Sequence, residues 1–130
     1  MIKPGFEMDN AVAKAIGGEY FFSTNRIEFP EEPGPYDIFP RFPSPSNDDI
    51  HAFRLLNWLG KTRDWEYNIS FSPNTRFRVW IDARPHRFRP VAIVGENLAE
   101  VICKAIIGAA KRQNNKWEEW MDEGEVDWVG

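Results

Sequence analysis

Trp65-Glu66-Tyr67-Asn68-Ile69-Ser70-Phe71-Ser72-Pro73-Asn74-Thr75-Arg76-Phe77-Arg78-Val79-Trp80-Ile81 holds two alternating runs on either side of a turn. Trp65, Tyr67, Ile69 and Phe71 fall at every second position, and so do Phe77, Val79 and Ile81. A period of two puts each apolar set on one face of a strand. Ser72-Pro73-Asn74-Thr75 is turn chemistry, so the stretch reads as a β-hairpin. Downstream, Asp82 to Arg87 reads as a loop and Phe88 to Val94 as a third strand.

Helical spacing flanks this sheet on both sides. Asn97 caps a helix, with Glu100 as its capping-box partner. Leu98, Val101, Ile102, Ala105, Ile106 and Ala109 form a broad apolar stripe there, so this helix is expected to be the most buried. Upstream, Ser46 reads as an N-cap with Asp49 at the third helical position. A helix then runs from about Asn47 to Leu59, with Ala52, Leu55, Leu56 and Leu59 on its stripe and Gly60 as terminator. At the N-terminal side, Met8, Val12, Ala15 and Ile16 predict a helix over 6–16, stopped by Gly17-Gly18. Glu7 and Asp9 near its start suit the helix dipole.

Residues 20–45 have another texture. Tyr20-Phe21-Phe22 reads as a short strand. After it, Pro30, Pro33, Pro35, Pro40, Pro43 and Pro45 interleave with Phe29, Tyr36, Phe39 and Phe42. Proline at that density excludes helix and central strand, while the aromatic residues supply surface to bury. An ordered but irregular excursion is expected. The fold class is therefore α/β of the α+β type: an antiparallel sheet of three or four strands layered with helices. One domain is expected over residues 1–113, followed by an acidic, tryptophan-bearing tail over 114–130.

The chain of 130 residues is long enough to bury a core of its own. No run of about 18 apolar residues is present, so no membrane span is expected. Met1-Ile2-Lys3-Pro4 lacks the apolar core of a signal peptide, and the one cysteine fits a reducing compartment; a cytoplasmic location is expected. The net charge of −4 is segregated. Glu118, Glu119, Asp122, Glu123, Glu125 and Asp127 face only Lys116 in the tail, leaving 15 of the 16 basic and 14 of the 20 acidic residues in the body. So nearly neutral a body lacks the basic footprint of a duplex-binding domain, and nucleic acid is not the expected partner.

Three groups of residues resemble one known family. They are Pro4, Gly5, Glu7, Met8, Asp9, Val12, Ala13 and Gly17 at the first helix; Ser44, Pro45, Ser46, Asp48 and Asp49 before the second; and Val101, Ile102, Cys103, Lys104 and Ala105 in the last. Together with the element order they resemble the phage ABA sandwich family, named for its helix/sheet/helix layers. The resemblance covers residues 4–17 and roughly 44–113, and the segment around Cys103 is its most specific part. Lys104 stands where the family usually has arginine, the aromatic segment 20–43 is longer, and the tail after Gln113 is additional. The resemblance implies an α-β-α sandwich, a phage origin and hence a host cytoplasm. It implies no reaction, because family members generally lack an assigned biochemical function.

Catalytic signatures are missing from the sequence. His51 and His86 are the only histidines, and no HExxH, CxxC, GxxxxGK[ST] or strand-borne GxGxxG occurs. No metal, cofactor or catalytic residue is expected. Cys103 adjoins the apolar stripe and reads as a core residue rather than a nucleophile. Asp48-Asp49 read as capping groups.

Two surfaces remain as candidates. Arg76, Arg78, Trp80, Arg84, His86, Arg87 and Arg89 combine cations with an aromatic ring around the hairpin, which suits phosphates, carboxylates, nucleotides or an acidic protein. The competing reading is a solvated strand face paired with Asp64, Glu66 and Asp82. Trp117, Trp120, Met121 and Trp128 in the acidic tail suit docking on their own domain, on a second copy or on a foreign protein. The expected function is a small phage-encoded, non-enzymatic binding protein that engages a host protein, in host takeover or against a defence system. The alternative is a module sequestering a nucleotide-like anion at the arginine cluster, and a third reading is a phosphoester-processing enzyme.

Overall fold

The computed structural model describes residues 3–29, 41–71, 76–83, 90–113 and 126–128. Helix α1 spans Phe6–Ile16 and closes on Gly17, whose φ of 79° is the left-handed turn that glycine accommodates. Its stripe of Met8, Val12, Ala13 and Ile16 is buried. Asp9 is buried with them, so it does more than complement the helix dipole. Its Oδ1 accepts the Ser46 backbone N–H at 2.9 Å, and its Oδ2 accepts the Ser44 hydroxyl at 2.9 Å. The Ser46 hydroxyl in turn accepts the Gly5 N–H at 2.8 Å and donates to the Gly5 carbonyl at 3.2 Å. The start of α1 is thereby fastened to the chain entering α2.

The aromatic segment is more regular at its ends than its composition suggests. Strands β1 (Glu19–Phe21), β2 (Arg26–Glu28) and β3 (Arg41–Pro43) form an antiparallel sheet in that order. Tyr20, Ile27 and Phe42 lie in register on its inner face. Glu28 on the outer face lies 2.7 Å from Arg26 Nε and 3.5 Å from Arg41 Nε. Proline is kept out of the central strand, and Pro43 ends an edge strand, where a missing N–H costs little. Residues 30–40, which carry most of the prolines, lie outside the described residues.

Helix α2 spans Asp49–Arg63, later at both ends than the 47–59 expected. Its N-cap is Asp48 rather than Ser46: Asp48 Oδ1 accepts the N–H groups of Ile50 at 2.9 Å and His51 at 3.1 Å. Ser46 sits in a short 3-10 turn, Pro45–Asn47, with its hydroxyl committed to Gly5. Gly60 does not terminate the helix, which ends at Asp64 in the left-handed conformation (φ 57°). A Cβ on Gly60 would lie 3.2 Å from the Trp65 carbonyl oxygen and 3.3 Å from the Tyr67 ring, so glycine here permits close approach of helix and strand.

The main sheet runs β4 (Glu66–Phe71), β5 (Phe77–Asp82), β6 (Val91–Gly95) and β7 (Val126–Trp128), all antiparallel. Tyr67 pairs with Ile81, Ile69 with Val79, and Val79 with Ile93, which sets the core-facing row. Strand β6 starts at Val91, directly after Pro90, which cannot donate to the ladder; Phe88 and Arg89 of the expected strand lie outside the described residues. Val126–Trp128 pairs with Val91–Ile93, so these three residues are the fourth strand of the sheet. Helix α3 (Leu98–Gln113) lies against β5 and β6 and also packs on α1 and α2. It is buried on nearly every side from Ala99 to Ala110, as its broad stripe implied. Asn97 Oδ1 accepts the Glu100 N–H at 3.3 Å, and Asp49 Oδ1 accepts the Ala99 N–H at 3.0 Å. The first residue of α2 thus also caps α3. The fold is an α/β sandwich of the α+β type, and Phe29, Phe42 and Trp58 join the small sheet to α2 through mutual ring contacts.

Candidate functional site

Alternation in β5 sends Val79 and Ile81 into the core, so Arg78, Trp80 and Asp82 must face the other way. Pairing then builds two cross-strand rows on that outer face. One is Ser70–Arg78–Val94, and the other is Asn68–Trp80–Ala92, with Asp127 next in register. Arg78 and Trp80 are half-buried, and both are engaged in a concavity of about 850 Å³. Asn57, Gly60 and Lys61 of α2 line it on one side, while Tyr67, Asn68 and Ser70 of β4 contribute as well. The hollow therefore follows β4, between the helix and the outer face. The Tyr67 hydroxyl donates to Asn57 Oδ1 at 3.3 Å and fixes the helix side of the wall.

The charges of this hollow are mixed. Lys61 and Arg78 line it together with Glu66, and Asp82 pairs in register with Glu66 at the end of the hairpin. Arg78, Glu66 and Asp82 each take part in further polar or charged interactions. The surface thus interleaves cations, acids, amides and the Trp80 ring. Arg76 is exposed just before β5 and lines a second, smaller hollow of about 440 Å³ with Glu96, Asn97, Glu100 and Lys104. Lys104 Nζ is 3.3 Å from Glu100 there, and no excess of positive charge gathers.

The structure brings together Arg78 and Trp80, with Arg76 adjoining. Arg84, His86, Arg87 and Arg89 lie outside the described residues, as do Trp117, Trp120 and Met121. Trp128 is placed by its backbone, opposite Val91 in β7. Comparison with protein-family models, with curated proteins and with solved structures finds no match. None of the three bears on the resemblance to the phage ABA sandwich family.

Nucleophile chemistry at Cys103 is opposed by its surroundings. The side chain is fully buried, and burial pushes the thiol well above its ordinary range, with Asp9 and then Glu100 adding to the effect. A thiol so placed stays protonated and shielded. His51 is half-buried, its Nδ1 2.9 Å from Arg54 Nη1. Among the described residues no three His, Cys, Asp or Glu side chains gather as a metal ion would need. No described helix is long and apolar enough to cross a membrane.

Sequence reasoning missed Asn57, Lys61, Tyr67 and Asn68 as walls of the hollow. Asn57 and Lys61 are polar positions flanking an apolar stripe, where a solvated face is the ordinary expectation. Gly60 was the available signal: a glycine within a helix can mark close approach of another backbone as well as a stop, and close approach is what brings α2 to β4.

Proposed function

We propose that the protein is a non-enzymatic binding module that holds another protein against the outer face of its main sheet. The observation that carries this reading is the hollow around Arg78 and Trp80. An aromatic ring and an arginine line it together with amide side chains and charges of both signs. Aromatic and arginine anchors dominate protein interfaces, and charges of both signs give register rather than bulk attraction. The resemblance to phage proteins supports a host protein as the partner, bound in host takeover or in blocking a defence system. The test is a stoichiometric complex recovered from the host under native conditions and then challenged with Arg78→Ala and Trp80→Ala. Loss of the complex in both variants is expected. A complex indifferent to both, or none recovered, would count against the reading.

A second reading has its own observation: Lys61, Arg78 and Trp80 line one hollow, a combination suited to a nucleotide-like anion. Glu66 in the same wall works against it. Thermal stabilisation by a nucleotide, lost in Arg78→Ala and Lys61→Ala, would favour this reading; indifference to a broad nucleotide panel would remove it.

A further inference from the structure

Strand β4 ends the main sheet among the described residues, and it differs from the opposite edge. The edge strand β7 has three residues, one of them Asp127. Strand β4 has six and pairs with β5 residue for residue, with no bulge to interrupt it. Natural edge strands are blunted by lysine, proline, bulges or shortness. Tyr67-Asn68-Ile69-Ser70-Phe71 contains no charge and no proline. One side of β4 therefore presents a regular row of backbone donors and acceptors.

Apolar surface lies beside that row. Phe71 is 59% exposed although its ring packs 5.1 Å from that of Phe77. Helix α2 runs next to β4, tied to it by the Phe53–Tyr67 ring contact and the Asn57–Tyr67 hydrogen bond, and leaves Ile50 71% and Phe53 44% exposed. Taken at roughly 200 Å² per full side chain, these three expose about 350 Å². That is a substantial part of the roughly 800 Å² per partner in a standard interface, before the strand itself is counted.

We propose that β4 pairs antiparallel with β4 of a second copy of this chain, joining two four-stranded sheets into one of eight. A two-fold axis makes the interface isologous, so the strand must complement itself. Residues opposite one another in an antiparallel pair share a face, and centring the axis on Ile69 satisfies that rule. Tyr67 then meets the partner's Phe71 on the helix-bearing face, and Asn68 meets the partner's Ser70 on the outer face. Apolar meets apolar, polar meets polar, and no two like charges oppose one another across the five paired positions. An unrelated extended segment would need to supply that pattern, whereas the second copy carries it. The same operation brings the exposed sides of the two α2 helices together and covers Ile50 and Phe53. The seam shares Tyr67, Asn68 and Ser70 with the wall of the hollow, so a second copy and another protein would compete for β4; the two are told apart because a dimer is detectable with no other partner present.

Sedimentation velocity of the full chain over about a hundredfold range of concentration tests it, because mass action must shift the species present. Phe71→Lys and Ile50→Lys alter exposed positions and are checked for folding by thermal unfolding; Phe22→Lys, at a residue 74% exposed away from β4, is the control. The expected result is a dimer whose dissociation constant rises at least about tenfold in both test variants and stays unchanged in the control. A monomer at every concentration would overturn the proposal. So would a dimer that survives both test variants, or a chain that pairs only with an extended segment of another protein.

Discussion

Asp9 shows how much one carboxylate can organise. It is buried in α1 yet receives a backbone N–H and a hydroxyl from a segment more than thirty positions away. Asp9→Ala would leave the Ser46 N–H buried without an acceptor, at a cost of roughly 2–3 kcal/mol in urea unfolding. Asp9→Asn keeps an acceptor, so it should cost less. Cys103 gives a prediction in pH. Its thiol is held up by burial first and by Asp9 next, so the unfolded chain loses the thiol proton before the folded one does. Stability is therefore unaffected by this group below about pH 8.5 and falls as pH rises above it. Unfolding curves from neutral to alkaline pH should decline less steeply in Cys103→Ala than in the parent, although the variant starts lower from lost packing. Alkylation of the native protein should be slow and should follow unfolding.

Helix caps carry the argument among elements. Asp48 caps α2 and Asp49 reaches across to α3, so two adjacent acids serve two helices. Asp48→Ala should cost about 1 kcal/mol, and Asp49→Ala a comparable amount, both measured by denaturant unfolding. The pair was legible in the sequence as capping groups, but its division between two helices was not. Helix α1, the two strands of the hairpin and the apolar stripe of α3 were also readable, because each repeats a period over several turns or pairs. Strands β2 and β3 were not, since three residues are too few to show alternation. Ser46 was misread because serine and aspartate cap equally well in isolation, and only the tertiary contact with Gly5 commits the serine elsewhere. At the candidate site the outward direction of Arg78 and Trp80 followed from the period of two. The helix wall of the hollow depended on packing between α2 and β4, which no local pattern encodes.

Over the whole molecule, the last described strand completes the main sheet. Removing residues 114–130 would strip β7 from Val91-Ala92-Ile93 and leave an apolar strand with an open edge. Such a chain should unfold at lower temperature and associate more readily, which thermal scans at several concentrations and light scattering would register. If the shortened chain matched the parent in both, β7 would be contributing nothing to the sheet. The two edges thus differ in kind: β7 is short and carries an acid, while β4 is long, uncharged over five residues and flanked by exposed rings.

The packing of α1 on α3 has a consequence for the making of the protein. Helix α1 is synthesised early, but the surface that covers Met8, Val12 and Ile16 is supplied largely by a helix beginning at Leu98. At about 5–20 residues per second, the ribosome takes roughly 5 to 19 seconds after α1 to complete that partner. For that interval an amphipathic helix-former stands in the cell with its apolar side only partly covered. Until then α1 has chiefly the early strands β1 and β2 and the 3-10 turn to pack on, so the core closes last, when the final helix arrives.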